Sequence, residues 1–532
     1  MSLARNVFVQ TFFTLGSRVL GFARDLALNA RFGGGGAGPL MDCWATAQML
    51  PNLFRRLFAE GAFAQGFVPV FAAARATEGQ DAADRMASQA MAFIMTVVAI
   101  VTIALEVSMP WLMPVLLSAY VDDPNTMAIA TLMAQLAMPY LVFMTLASLL
   151  SGVLNTLGRF ALTAAAPMLL NICTILPLVI ITDREQAAQW AAAAVTVSGF
   201  LQCALLWWGA KRLGVKLGAS LPVVSRGVRK MLAIAVPGAI AGGALQVSSL
   251  VTQMLSGSDP GARSVLYNSD RLYQLPLGLI GVAVGLALVP RLSRHFADND
   301  HAGASRTMDD GIGLSMAFTL PAAVALLVMP YFIIDATVTR GEFTSADALR
   351  TSEVLRQFAW GVPAFVLAKV FTPPFFARQK SKRPMQFSLV SVGITVIVGA
   401  TLWFWLPTVG IDGAIGLGIA TSFGAWMNVF LLASALAAEN AYKMGARVWS
   451  RMVRLMIASG LMGVFAGVCA WQYEFLAQIL WRKEVAVLVV IAIGVVIYGI
   501  AAFALRAVTV AEIKGALRRE KGGPGVPSGG EG

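Results

Sequence analysis

Arg18, Arg24, Arg55 and Arg56 stand in apolar segments long enough to cross a bilayer, with Asp25, Asp42 and Glu60 close to them in the sequence. They fall in two stretches, T-L-G-S-R-V-L-G-F-A-R-D and M-D-C-W-A-T-A-Q-M-L-P-N-L-F-R-R-L-F-A-E-G-A-F, joined through R-F-G-G-G-G-A-G-P. A charge near mid-membrane costs roughly 3 kcal/mol on insertion scales, so such residues face a water-filled interior and mark a transport path. A guanidinium stays protonated and its fork grips phosphate oxygens through paired hydrogen bonds. A cavity with an excess of these groups calls for an anionic cargo.

The elements that must position these groups are membrane spans. With 58% hydrophobic residues, 13% charged residues and a mean hydropathy of +0.72, the 532-residue chain reads as a polytopic membrane protein rather than a soluble one. A span needs about 20 apolar residues, and fourteen are expected: 7–29, 40–71, 87–117, 131–153, 160–181, 187–208, 231–255, 264–289, 311–334, 349–376, 385–404, 414–436, 452–471 and 485–508. The first apolar run continues past signal-peptide length without a small-residue cleavage site, so no cleaved leader is expected. Most Lys and Arg fall on one side of this map, in loops such as 209–230, 377–384 and 439–454. The positive-inside pattern puts both termini in the cytoplasm. The net charge of +12 is then topology plus attraction to anionic headgroups, and not a nucleic-acid footprint. Arg263 reads as a cation of an outside loop.

Rise along a helix turns position into depth. Entering near Asn6, Arg18 lies roughly 18 Å up and Arg24 roughly 27 Å up; descending from Leu40, Arg55 and Arg56 lie roughly 22 to 24 Å down and Glu60 about 30 Å down. Asp270 and Arg271 enter the eighth span from outside and are about 10 Å deep. The expected groups are an inner one (Arg55, Arg56, Glu60), a central Arg18, and an outer one (Arg24, Asp25, Asp42, Asp270, Arg271). Arg56 and Glu60, four apart, can pair on one helix face. Lys369, mid-segment in the tenth span, belongs either to the cavity or to a bridge between lobes. Gly33, Gly34, Gly35 and Gly36 permit wide backbone excursions and are read as a hinge. Pro51 is expected to bend the second span.

The chain also repeats. Q-M-L-P ending at Pro51 matches Y-Q-L-P ending at Pro276, G-F-V-P at Pro69 answers L-V-P at Pro290, and Q-L-A-M-P-Y-L-V-F around Pro139 resembles Q-F-A-W-G-V-P-A-F-V around Pro363. The expected fold is therefore an all-α polytopic protein of two pseudo-symmetric six-helix lobes, 1–208 and 231–436, in parallel repeat. A basic cytoplasmic linker, 209–230, joins them; 437–508 adds two helices, and 509–532 forms a cytoplasmic tail, disordered on composition.

Cys43, Cys173, Cys203 and Cys469 lie in apolar stretches without ligand-like spacing, and His295 and His301 share one polar loop. No metal centre, cofactor or catalytic site is expected, which argues against an enzyme acting on polyprenyl phosphates. A cation-coupled drug antiporter would want buried carboxylates, whereas here arginine is in excess. An exporter of another lipid-linked oligosaccharide stays open on charge alone.

S-R-V-L-G-F-A-R-D, N-L-F-R-R-L-F-A-E-G-A-F-A-Q-G-F-V-P-V-F and D-R-L-Y-Q-L-P-L-G-L-I-G-V-A together resemble the MurJ/MviN family of bacterial lipid II flippases, within the multidrug/oligosaccharidyl-lipid/polysaccharide exporter superfamily. The resemblance extends over the whole chain. It implies transfer of the undecaprenyl-diphosphate-linked peptidoglycan precursor, lipid II, from the inner to the outer leaflet of the cytoplasmic membrane by alternating access. It thereby implies a part in cell-wall biogenesis and cell shape, beside membrane lipids and the cell-wall synthesis machinery. The family's cavity arginines fall on Arg18, Arg24, Arg55 and Arg271, and its acidic positions on Asp42 and Glu60. The last two helices would hold the polyprenyl tail. Where the family often carries Glu in the eighth span, this chain has Gln274. Spans 231–255, 385–404 and 414–436 contain no Asp or Glu, which speaks against a carboxylate sodium site; separately, a net-positive cavity couples to the membrane potential.

Overall fold

The computed structural model describes residues 3–35, 38–57, 63–218, 220–380 and 382–507. Of the expectations above, Glu60, Gly36 and the tail 509–532 lie outside the described residues. Among those described, the chain is helical and has no strand. In order the helices are α1 (Leu3–Phe32), α2 (Leu40–Leu57), α3 (Phe63–Thr77), α4 (Gln80–Leu116), α5 (Pro124–Ala137), α6 (Tyr140–Thr156), α7 (Phe160–Ile180), α8 (Arg184–Arg212), α9 (Arg226–Ser256) and α10 (Ala262–Ala297). They continue as α11 (His301–Val328), α12 (Pro330–Thr337), α13 (Ser345–Ala359), α14 (Val362–Phe371), α15 (Pro373–Ala377), α16 (Lys382–Trp405), α17 (Gly413–Ala438), α18 (Ala446–Trp471), α19 (Tyr473–Ile479) and α20 (Lys483–Ala504).

Ten segments among the described residues are long and apolar enough to cross a membrane. The expected spans 7–29, 40–71, 231–255 and 264–289 are not among the ten, and three of those four carry the candidate charges. Span 40–71 is carried by α2 and α3 on either side of 58–62.

Loop chemistry sets where several helices begin. Asp123, Asp183, Ser225, Asp300 and Asp412 each precede a helix and accept a hydrogen bond from one of its first free amides. The Thr126 hydroxyl and amide hold the Asp123 carboxyl below the usual carboxylate range. Proline then breaks two long segments in the middle. Pro124–Thr156 is interrupted between Ala137 and Tyr140 at Pro139, and Ser345–Ala377 between Ala359 and Val362, just before Pro363. The same remedy serves both breaks: Thr196 of α8 donates to the Leu136 carbonyl at 2.6 Å, and Ser422 of α17 donates to the Gln357 carbonyl at 2.6 Å. A hydroxyl is suited to this because a backbone carbonyl left bare in hydrocarbon is costly.

By packing, the chain forms two compact units, 1–267 with 338–347, and 268–337 with 348–532. In the first, α1 lies along α7, α7 along α8, and α2 against α5, around a core that includes Phe32, Trp44, Phe67 and Phe71. Helix α9 packs on α3 and α4, where Gly66 and Gly227 leave room for it, and buries Val228, Met231 and Ala235. In the second, α16 pairs with α17, α14 packs on α17, and α18 lies on α11 and α20. The last helices are pinned there by Asp335 of α12: its fully buried carboxylate accepts from Lys483 at 2.7 Å and from the Tyr473 hydroxyl.

Helices α8 and α9 extend into the expected linker, leaving 213–225 between them. This segment is tied to α4 by a buried acid. Asp84, 3% exposed, accepts from the Lys216 amide at 2.8 Å, and Ser88 one turn on accepts from the Gly218 amide. Removing the carboxylate leaves the Lys216 amide without its acceptor, a loss of about 1–3 kcal/mol. Asp84→Ala is therefore expected to make 213–225 the first site of cutting in limited proteolysis, well before the wild type is cut there.

Candidate functional site

Arg18 and Arg24 are six residues apart on α1, about 9 Å along its axis. The helix is held by α7. Met168 and Asn171 lie beside Gly16 and Gly21, and the Asn171 amide donates to the Ser17 carbonyl at 3.0 Å. With its backbone so fixed, Arg18 presents an exposed side chain and is not sealed in packing. Arg24 is braced by its neighbour: Nε and Nη2 both donate to Asp25 Oδ1, at 3.1 and 2.8 Å. The Tyr267 hydroxyl donates to the same oxygen at 3.1 Å. Asp25 is therefore joined to Arg24 and Tyr267, and Arg24 is oriented by a fixed carboxylate.

The outer end of α1 is equally constrained. Arg31 caps the end of α7 through the Leu178 and Ile181 carbonyls, and Arg184 donates to the Arg31 carbonyl and pairs with Glu342 at 3.2 Å. The glycine loop begins immediately after. Gly33 and Gly34 are buried, and a side chain at Gly34 would strike Asp347 and Phe343. Gly35, at φ +109°, lies so close to the Gly261 backbone that no Cβ fits. A hinge at this loop would have to carry these contacts with it.

On α2, Asp42 is 1% exposed and its carboxylate holds three donors. The Gly261 amide reaches Oδ2 at 2.7 Å, the Tyr120 hydroxyl reaches Oδ2 at 2.9 Å, and the Ser264 amide reaches Oδ1 at 2.8 Å. Two of these are free amides at the start of α10, so Asp42 caps that helix from a distance. Burial, and then the Asp42 charge, push the Tyr120 hydroxyl up, which keeps it a donor. Arg263 completes the cluster. Read from the sequence as a loop cation, it is 1% exposed and donates to the Thr46 hydroxyl at 2.6 Å and to the Leu116 and Gln253 carbonyls. Neither Arg263 nor Tyr267 carries a local signal, since their partners lie elsewhere in the chain. At the other end of α2, Arg55 is half-buried, with Nε at 3.4 Å from Asn52 Oδ1, and Arg56 is exposed. Pro51 is buried inside the helix.

In the second unit, Asp270, Arg271 and Gln274 occupy one stretch of α10. Gln274 Nε2 donates to the Asp270 carboxylate, and Arg271 is exposed. The intervening Tyr273 stacks on Phe358 and Phe365, with ring centroids 4.8 and 5.6 Å apart, which fixes the turn that carries the three polar side chains. Lys369 is an exposed residue of α14. The residues His, Cys, Asp and Glu form no metal-holding group among the described residues.

Arg18 in the first unit and Arg271 in the second each present an exposed guanidinium, a group whose fork suits phosphate oxygens. The Asp42 cluster, by contrast, is buried, with both carboxylate oxygens engaged. Asp42→Ala strands two buried amides and the half-buried Tyr120 hydroxyl, and is expected to cost at least about 2 kcal/mol. Thermal unfolding in detergent should show a clearly lowered midpoint for Asp42→Ala and a smaller drop for Asp42→Asn, which keeps one acceptor oxygen. An unchanged midpoint would show that the capping contributes nothing.

Comparison with known proteins places these features in a family. The sequence profile described as "Lipid II flippase MurJ" matches residues 35–482. A protein of Rhizobium meliloti (strain 1021), named a probable lipid II flippase MurJ, is 33% identical over 543 residues, covering 100% of this chain and 99% of that protein. The Burkholderia cenocepacia protein named lipid II flippase MurJ is 31% identical, covering 88% of this chain and 90% of its own length. Among solved structures, a lipid II flippase MurJ in an inward closed conformation shares the fold, with a TM-score of 0.74 at 21% identity, covering 94% of this chain and 99% of the other. An inward-facing multidrug MATE transporter follows at TM-score 0.64 and 14% identity, covering 81% and 98%. With a matched profile over most of its length and relatives at this identity, the chain belongs to the MurJ family of lipid II flippases.

Proposed function

We propose that this chain moves lipid II, an undecaprenyl-diphosphate-linked peptidoglycan precursor, from the inner to the outer leaflet of the bacterial cytoplasmic membrane. The observation that carries the reading is Arg18. It is a guanidinium in the middle of a predicted span, held on a braced helix with its head accessible, in a chain matched along its length by lipid II flippases. Arg24, Arg55 and Arg271 supply further forks for the diphosphate, with Asp25, Arg56, Asp270 and Lys369 as charged companions. Alternating access exposes the arginines to each face of the membrane in turn, while the polyprenyl tail stays in lipid beside α18 and α20. No chemical bond changes in this cycle, so no catalytic residue is assigned.

The same reading includes fourteen spans with both termini cytoplasmic and two parallel six-helix repeats, 1–208 and 231–436. The matching breaks at Pro139 and Pro363, each satisfied by a hydroxyl from the corresponding later helix, support the repeat. A hinge at the glycine loop and at Pro51 belongs to this reading too.

Energy follows from the sign of the charge. Moving a unit charge through 100 mV is worth about 2.3 kcal/mol. An inside-negative potential therefore favours return of the emptied, cationic site to its inward-open state. No cofactor is required.

Two experiments test the proposal. Arg18→Ala and Arg55→Ala are each expected to abolish growth support in a flippase-depleted strain at normal membrane levels of protein, with Arg18→Lys intermediate because it keeps charge without the fork. Normal growth with either alanine variant would make that side chain structural. In proteoliposomes carrying labelled lipid II, collapsing an inside-negative potential should slow flipping several-fold. An undiminished rate would remove the potential from the cycle.

A further inference from the structure

Helix α4 carries one acid that the transport reading does not use. Glu106 lies ten residues before the helix ends at Leu116, about 15 Å along the axis. That is half the thickness of a hydrocarbon core of about 30 Å. Pro110 follows four residues later and, lacking an N–H, leaves the Glu106 carbonyl without its helical donor. Gln135 of α5 supplies one instead, with Nε2 at 3.2 Å from that carbonyl. The Gln135 side chain is thus engaged with the backbone. Among the described residues, the Glu106 carboxylate has no hydrogen bond or ion pair.

Its surroundings face outward. Glu106 is partly exposed at the edge of a stripe formed by Ile103, Val107 and Trp111, which are 59%, 61% and 70% exposed. The stripe lies on a segment long and apolar enough to span the membrane. Trp111 falls between Glu106 and the helix end, in keeping with the preference of tryptophan for the membrane interface. A carboxylate at this depth is disfavoured unless it is protonated or meets a partner.

We propose that the α4 face around Glu106 is a lateral docking surface for a single membrane-spanning helix of another protein, one that bears an Arg or Lys near mid-span. Charge complementarity selects this occupant. Acyl chains offer a carboxylate nothing, and a second copy of this chain joined by a two-fold axis through this face would set one Glu106 against another. A basic side chain supplies both the opposite charge and the missing donors.

The probe is a polyleucine peptide of about 20 residues with one central Arg, compared with all-Leu and central-Glu versions. Association with the full-length protein is read by energy transfer in proteoliposomes. The Arg peptide should bind the wild type about tenfold more tightly than the all-Leu peptide, the range expected of an intramembrane polar contact. Glu106→Gln should reduce that advantage and Glu106→Leu should remove it. Equal binding of the Arg and all-Leu peptides, or an advantage that survives in Glu106→Leu, would overturn the proposal. So would self-association of the protein that Glu106→Leu abolishes, which would assign the surface to a second copy.

Discussion

A charge inside hydrocarbon has to be paired, wetted or kept near an edge, and the arrangement of this chain follows from which of the three each charged group receives. Arg24 is paired, through Asp25 and the hydroxyl of Tyr267 behind it. Arg18 is accessible, on a helix whose other side is fastened to α7. Asp42 and Arg263 are enclosed, and the enclosure works because amides, carbonyls and hydroxyls from several helices meet them. A buried carboxylate tolerates its position only with such donors. Pairing at Asp42 therefore builds the scaffold, while Arg18 keeps an exposed side chain.

The same economy of polar contacts governs the backbone. Proline breaks two spans, and in each a hydroxyl from another helix covers a carbonyl beside the break. At Pro110 a glutamine does the same for Glu106. Breaks of this sort are tolerable in a membrane only when another helix meets the freed group. They also let a long helix change direction at mid-depth, which is where a transport site has to be built.

Much of this was legible in the sequence because its signals are local. Length and apolarity marked segments such as 160–181 and 414–436, and Pro139 and Pro363 stood out as matching points of a repeat though not as breaks; the aspartates that cap α5, α8, α11 and α17 went unread. The motifs around Arg18, Arg55 and Arg271 pointed to the family. What could not be read depends on partners far away in the chain. Arg263 looked like a loop cation because nothing adjacent shows that Thr46 and the Leu116 carbonyl will surround it. Asp42 looked like one more charge of the transport path, since its donors at Tyr120, Gly261 and Ser264 are set by folding alone. The glycine run suggested only freedom, although Gly34 and Gly35 lie against Asp347, Phe343 and Gly261. Packing also draws its line between units elsewhere than the repeat does, because α9 lies on α3 and α4.

The central claim is that accessible guanidiniums within the first spans carry a diphosphate headgroup across the bilayer. It is tested most directly by measuring which leaflet exposes labelled lipid II in cells depleted of this protein and resupplied with either the wild type or Arg18→Ala. The precursor should accumulate on the inner side on depletion, return to the outer side with the wild type, and stay inside with Arg18→Ala at equal protein levels. Outer-leaflet exposure that persists through depletion, or that Arg18→Ala restores in full, would contradict it.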